Sequence, residues 1–217
     1  MNTMNAKAFT ITLLLAAAII LCTGFASAQI LDFKSDSATL YTYDENSGWS
    51  NSVPTWTNPS WPSVGNGQWI WSSYHVTAEE AENGSGVSFK KIITLPADAT
   101  NIHASITMDA DNWFFLSLGN DFVGQNMDWQ YPQSFDLNLH PGDNTLTVFV
   151  MNTPLNHGTW DTNPAGLVFS GEVSFDSGNI TGGPNDPPTG QVPEFGIIAG
   201  MVAVIGGLGI VVSMRKQ

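Results

Sequence analysis

The chain is poor in the residues that most functions depend on. Its 217 residues include one cysteine, Cys22, so it cannot form an internal disulfide. Basic residues are scarce, with Lys+Arg 6 against Asp+Glu 19 and a net charge of −13. Nucleic-acid affinity rests on neutralising phosphates with Lys and Arg, so DNA and RNA are excluded as partners. Charged residues of both signs make up only 12%, about half the usual share. The 42% apolar content is enough for a packed core and excludes global disorder. Helical periodicity is missing too, apart from one turn at Ala78–Glu82. No serine-hydrolase elbow, H-E-x-x-H pair or glycine-rich phosphate loop is present. His75, His103, His140 and His157 are scattered, without metal-ligand spacing.

Both ends carry addresses. Lys7 precedes an apolar run from Phe9 to Leu21, followed by Thr23, Gly24 and Ala26-Ser27-Ala28. A positive start, an apolar middle and the small-residue A-x-A site of Ala26 and Ala28 make a secretory signal over residues 1–28, with cleavage expected after Ala28. The apolar run is shorter than the roughly 20 residues a membrane span needs. Cleavage discards Cys22. At the other end, Phe195 to Met214 is uncharged over 20 residues and is followed by Arg215 and Lys216. This matches a transmembrane helix with a cytoplasmic basic tail, which places everything before it outside. Just before it stand Pro193, Glu194, Phe195 and Gly196. The motif, helix and basic tail (193–217) resemble the archaeal PEF-CTERM and PEFG-CTERM sorting signals. The resemblance implies an archaeosortase partner that recognises these four residues and transfers the protein to a surface anchor. An ordinary single-span anchor is the alternative.

The exported segment 29–192 holds 18 acidic residues against Lys34, Lys90 and Lys91, a net of −15. Residues 177–192 are rich in Gly and Pro and read as a stalk. Asn83-Gly84-Ser85 and Asn179-Ile180-Thr181 fit the glycosylation pattern. Between signal and stalk the period is two. Ile102, Ala104, Ile106 and Met108 alternate with His103, Ser105, Thr107 and Asp109, and Leu167–Phe175 alternates likewise. Such alternation means strands with one face in a core. Further strands are expected at Ala38–Tyr43, Trp69–His75, Val87–Thr94, Trp113–Leu118, Ser134–Leu139 and Asn144–Asn152, with a two-residue turn at Gly119-Asn120. The fold class is therefore all-β: residues 29–176 form an antiparallel two-sheet sandwich of about nine strands, a jelly roll. The signal helix and the transmembrane helix flank it.

From about Trp69 to Phe175 the chain resembles the galactose-binding-like β-sandwich modules. Trp69-Ile70-Trp71, Val87–Lys91 and Leu95-Pro96 match the opening strands. Ala110-Asp111-Asn112 leading into Trp113–Leu118 and Val123-Gly124 matches the central hairpin, with Gly119-Asn120 where Asn-Gly is usual. Leu139–Asn144 and Asn163–Leu167 match the closing strands. The resemblance implies a module that binds glycans or serves as a spacer.

Two groups of residues are candidates for chemistry. Asp109, Asp111 and Asn112 form the densest acidic spot on a strand. They read as turn-shaping residues, as a Ca²⁺ site, or as glycosidase carboxylates sharing one face. The chain also has eight tryptophans. Sugar rings stack on exposed aromatic faces, while Asn and Asp bond their hydroxyls. Asn126, Asp128 and Trp129 in one loop, with Trp160 and Asp161 in another, have that mixture. Trp69, Trp71 and Trp113, in strands, are expected in the core. The sequence thus reads as a non-catalytic surface module for glycan binding or adhesion. A structural coat protein associated with a surface layer and a glycoside hydrolase using Asp109 and Asp111 are the alternatives.

Overall fold

The computed structural model describes residues 27–177. The signal segment through Ala26, most of the stalk with Asn179, the Pro193–Gly196 motif and the C-terminal span lie outside the described residues. Among the described residues no helix is long and apolar enough to cross a membrane.

The described residues form twelve strands and one short helix: β1 (Ser27–Lys34), β2 (Leu40–Thr42), β3 (Ser50–Asn51), β4 (Val53–Pro54), β5 (Ile70–Trp71), α1 (Ala78–Asn83), β6 (Ser85–Leu95), β7 (Thr100–Asp111), β8 (Trp113–Leu118), β9 (Asp121–Asn126), β10 (Gln133–Leu137), β11 (Gly142–Asn152) and β12 (Gly166–Ser177). They form two six-stranded antiparallel sheets. The first runs β10–β7–β12, and the far edge of β12 is shared by β1 and β5, with β4 beside β5. The second runs β3–β2–β6–β11–β8–β9. An all-β, two-sheet antiparallel architecture is therefore observed.

Alternation builds the core. Along β11, Asn144, Leu146, Val148, Val150 and Asn152 are buried while the residues between them are half-exposed. Ile106 and Met108 of β7, Leu167 and Phe169 of β12, Phe89 of β6, and Phe114 and Leu116 of β8 meet between the sheets. Trp71 is fully buried there, its ring 5.6 Å from that of Phe89. Each such side chain contributes about 1.5–3 kcal/mol through removal from water. With no disulfide in the described residues, this burial carries the stability. Ion pairing adds little: Lys91–Asp36, at 2.8 Å, is the one salt bridge among the described residues.

Ser27–Lys34 forms β1 along β12, with exposed Ala28 opposite Asp176 and Phe33 packed onto Gly171. Two expectations need correction. The Trp69–His75 strand shrinks to Ile70–Trp71, because the Ser73 hydroxyl bonds the His75 carbonyl and bends the chain. Trp113 is not core. It stands half-exposed on the outer face of the second sheet, edge-on to Phe115 and beside Phe149.

Candidate functional site

Strand register brings the informative loops to one end of the sandwich. β7 ends at Asp111 opposite Gly166, where β12 begins. β9 ends at Asn126 opposite Phe114, and β11 ends at Asn152 opposite Ser85. Segments 72–84, 127–132 and 153–165 therefore leave from the same end. Helix α1 anchors two of them. Its Thr77 and Glu80 form a reciprocal capping box, satisfying N–H groups the first turn would leave open. The Ala81 carbonyl accepts from the Leu155 N–H at 3.3 Å and from Asn163 Nδ2 at 2.7 Å. Asn163 Nδ2 also donates to the Thr153 carbonyl at 2.9 Å. A Cβ at Gly158 would strike the Ala81 carbonyl, so only glycine lets this loop lie against α1.

On that support stands an exposed aromatic group. Trp160 stacks on His75 with ring centroids 4.1 Å apart and planes 25° apart. Trp56 meets Trp160 edge-on at 5.3 Å, and Tyr74 lies 4.6 Å from His75. Trp160 keeps 40% of its surface exposed and Tyr74 58%. Asp161, beside Trp160, is exposed and accepts from Thr159 Oγ1 at 2.6 Å. Sequence reasoning points to Trp160 and Asp161 but misses Trp56, Tyr74 and His75. A straight strand expected through His75 conceals the turn that presents Tyr74 and His75 at the surface. The available signal is Ser72-Ser73, whose hydroxyls favour a turn.

Trp129 belongs to a different group. It is half-buried against Trp61, Val64, Trp69 and Val168 on the outer face of the first sheet. Trp61 and Trp69 are stacked at 4.2 Å over Gly166, where a Cβ would meet both rings. Asn126 is 9% exposed and its amide is spent on the loop. Its Nδ2 donates to the carbonyls of Asp128 (2.8 Å) and Tyr131 (2.9 Å), and its Oδ1 accepts from the Asp128 N–H. Asp128 is exposed, its Oδ1 accepting from the Gln130 N–H at 3.0 Å. Of the five ligand candidates, Trp160 and Asp161 stand together at the surface. Asn126, Asp128 and Trp129 build a loop that helps cover the sheet.

Under that cover lie the two carboxylates. Asp109 and Asp111 share the outer face of β7, as their spacing requires, but Asp109 is fully buried and Asp111 is 6% exposed. Trp61 Nε1 donates to Asp111 Oδ2 at 2.9 Å. Asp109 Oδ1 accepts from the Ala110 N–H, while Oδ2 is buried with no partner. Burial pushes Asp109 up to about 7 against the pull of the Ala110 N–H, with the charges of Asp111 and Asp128 adding to the rise. Burial likewise raises Asp111 to about 6, opposed by the Trp61 bond. Asn112 does not join them: its Oδ1 accepts from the Thr153 N–H and hydroxyl at 2.6 and 2.8 Å. Among the described residues no three His, Cys, Asp or Glu side chains come together to hold a metal ion. Asp109 and Asp111 are thus covered side by side, while Asn112 is engaged by Thr153.

No family model matches the chain, and no curated protein matches it in sequence. Among solved structures it is similar to a family 35 carbohydrate binding module from Clostridium thermocellum, at 10% identity and TM-score 0.34, covering 66% of this chain and 97% of that one. It is also similar to a β-glucuronidase from Ruminococcus gnavus (14% identity, TM-score 0.42) and to an α-L-rhamnosidase from Streptomyces avermitilis (23%, TM-score 0.36). The chain spans only 29% and 15% of those two enzymes while 70% and 60% of its own length is matched. Likenesses this distant carry no functional argument; the chain's own residues must supply it.

Proposed function

We propose that the protein is a non-catalytic glycan-binding module displayed on the outside of the cell. The observation that carries this reading is the surface-exposed Trp160 stacked on His75 and braced by Trp56, in loops anchored to a rigid sandwich. Loops on a rigid scaffold are where such modules carry function, and an indole held in place loses little entropy when a sugar stacks on it. Asp161 supplies an acceptor for hydroxyls beside the ring. The non-catalytic reading is supported by the burial of Asp109 and Asp111, since a glycosidase needs both carboxyls against the scissile bond. Display rests on the N-terminal signal and the C-terminal helix. Release at Pro193–Gly196 by an archaeosortase predicts a mature chain shorter than Gln217, which mass spectrometry of the cell-surface protein reads directly.

The test is a glycan array probed with the full-length chain and with Trp160→Ala. An aromatic anchor contributes about 2 kcal/mol, so binding is expected to weaken roughly thirtyfold. Melting should change little, because Trp160 lies outside the core clusters. If no glycan binds, or if the variant binds as well as the parent, the reading fails.

A structural coat protein is the second reading. The outer face of the second sheet favours it, where Trp113, Phe115, Phe149 and the 64%-exposed Phe122 form an aromatic surface. Self-assembly that Phe122→Ser abolishes, together with no glycan affinity, selects this alternative.

A further inference from the structure

We infer that the sugar bound at Trp160 carries no negative charge. The inference rests on the proposed glycan-binding reading and names the ligand class for that same surface.

Recognition of a uronate or sulfate needs cationic donors, most effectively a paired Arg or Lys contact that returns the desolvation cost of the anion. The described residues contain no arginine and three lysines, Lys34, Lys90 and Lys91. None lies in segments 43–84, 127–132 or 153–165, which build this end of the sandwich. Lys91 is held by Asp36 at 2.8 Å, and Lys90 sits 4.0 Å over the Trp49 ring. Lys34 lies on β1 opposite Ser170.

Negative charge, in contrast, collects around the aromatic group. Asp161 adjoins Trp160 in sequence, and α1, which supports the Trp160 loop, carries Glu79, Glu80 and Glu82. Asp161, Glu79 and Glu82 are exposed, while Glu80 is engaged by Thr77 and Tyr43. For an anion seated on Trp160, the adjacent residue in sequence is Asp161 and the loop is supported by the acidic α1, with no lysine or arginine in the described segments that build this end. Even with aqueous screening, carboxylates with no compensating cation disfavour an anionic sugar and favour an amino sugar by the same interaction. Stacking on the indole is common to all sugars and does not discriminate. Charge therefore decides among ligands of similar shape.

The experiment compares matched galactosides, galactosaminides and galacturonides on an array probed with the full-length chain, at about 50 mM and about 500 mM salt. The expected result is at least tenfold weaker binding of the galacturonide at low salt, a gap that narrows at high salt, and loss of all signals in Trp160→Ala. A double variant, Glu79→Gln, Glu82→Gln, leaves Asp161 and the aromatic group in place and should narrow the gap between galacturonide and galactoside binding. Galacturonide binding equal to or tighter than galactoside binding, still dependent on Trp160, overturns the charge inference and leaves the glycan-binding reading intact. The charge inference is equally overturned if the double variant leaves the gap unchanged. Absence of binding to every probe overturns the reading itself.

Discussion

Asp109 offers the sharpest physical test, because a buried carboxyl with an unpartnered oxygen must make stability depend on pH. Its value rises from the ordinary 3.8 to about 7. At 1.36 kcal/mol per pH unit this corresponds to an upper bound of about 4 kcal/mol, and solvent screening near the loop end roughly halves it to ~2 kcal/mol. The sign follows from proton binding. With the folded value raised, the native state holds a proton that the unfolded chain releases, so stability is fullest below about pH 4 and declines as pH climbs toward 7. Asp111, raised to about 6, adds to the same decline. Asp109→Asn removes the titration, and the Asn Oδ1 can still accept from the Ala110 N–H. The new buried amide lacks a partner at the Oδ2 position and costs about 1–2 kcal/mol at every pH. The informative quantity is therefore the difference between two pH values. Between pH 4.5 and pH 8.5, thermal melting of the parent should fall further than that of the variant by about 4–8 °C, taking 2–4 °C per kcal/mol for this size. Parallel melting curves across that range would refute the burial argument, since general acidic repulsion acts on both proteins.

Four other substitutions probe the frame. Trp71→Ala should cost about 3–5 kcal/mol by emptying a fully buried site, while Trp113→Ala, on an outer face, should cost less than half as much in chemical denaturation. Asn144→Ala removes bonds from Nδ2 to the carbonyls of His140, Gly142 and Ile93 and to Oδ1 from the His140 N–H, and should cost about 2–3 kcal/mol by the same assay. Thr77→Ala breaks the capping box of α1 and should cost about 1 kcal/mol, read as a shift in midpoint at unchanged slope.

Where alternation is strict, the sequence can be read almost to the residue. Trp113–Leu118 appears with the expected bounds, Gly119-Asn120 makes the expected turn, β6, β7 and β12 extend the expected strands by one or two residues at each end, and β11 begins two residues earlier and ends as expected. The two-residue strands β3 and β4 have no such signal, because a pattern of period two needs more than two positions to show itself. Strand β1 has the alternation, with Leu31 and Phe33 facing inward, but it adjoins the small-residue end of the signal, whose composition masks where the strand begins.

The candidate site is legible in its composition and not in its arrangement. Periodicity tells which residues share a face of a strand, and it puts Asp109 and Asp111 correctly on one side of β7. It cannot tell whether that side meets water. The answer comes from Trp61, 50 positions earlier, whose indole bonds Asp111 and, with Trp69 and Val64, converts an outer face into a second core. The same long-range cover explains the fate of Trp129. Its polar neighbours make it look like a surface ligand residue, yet Asn126 uses its whole amide to fold the loop down onto Val168 and the Trp61–Trp69 stack. Trp160 has no comparable apolar floor: its partners are His75 and Trp56, and 40% of it stays in water. Two loop tryptophans of similar local composition thus diverge through what lies beneath them. The one without a core beneath it is the one left exposed.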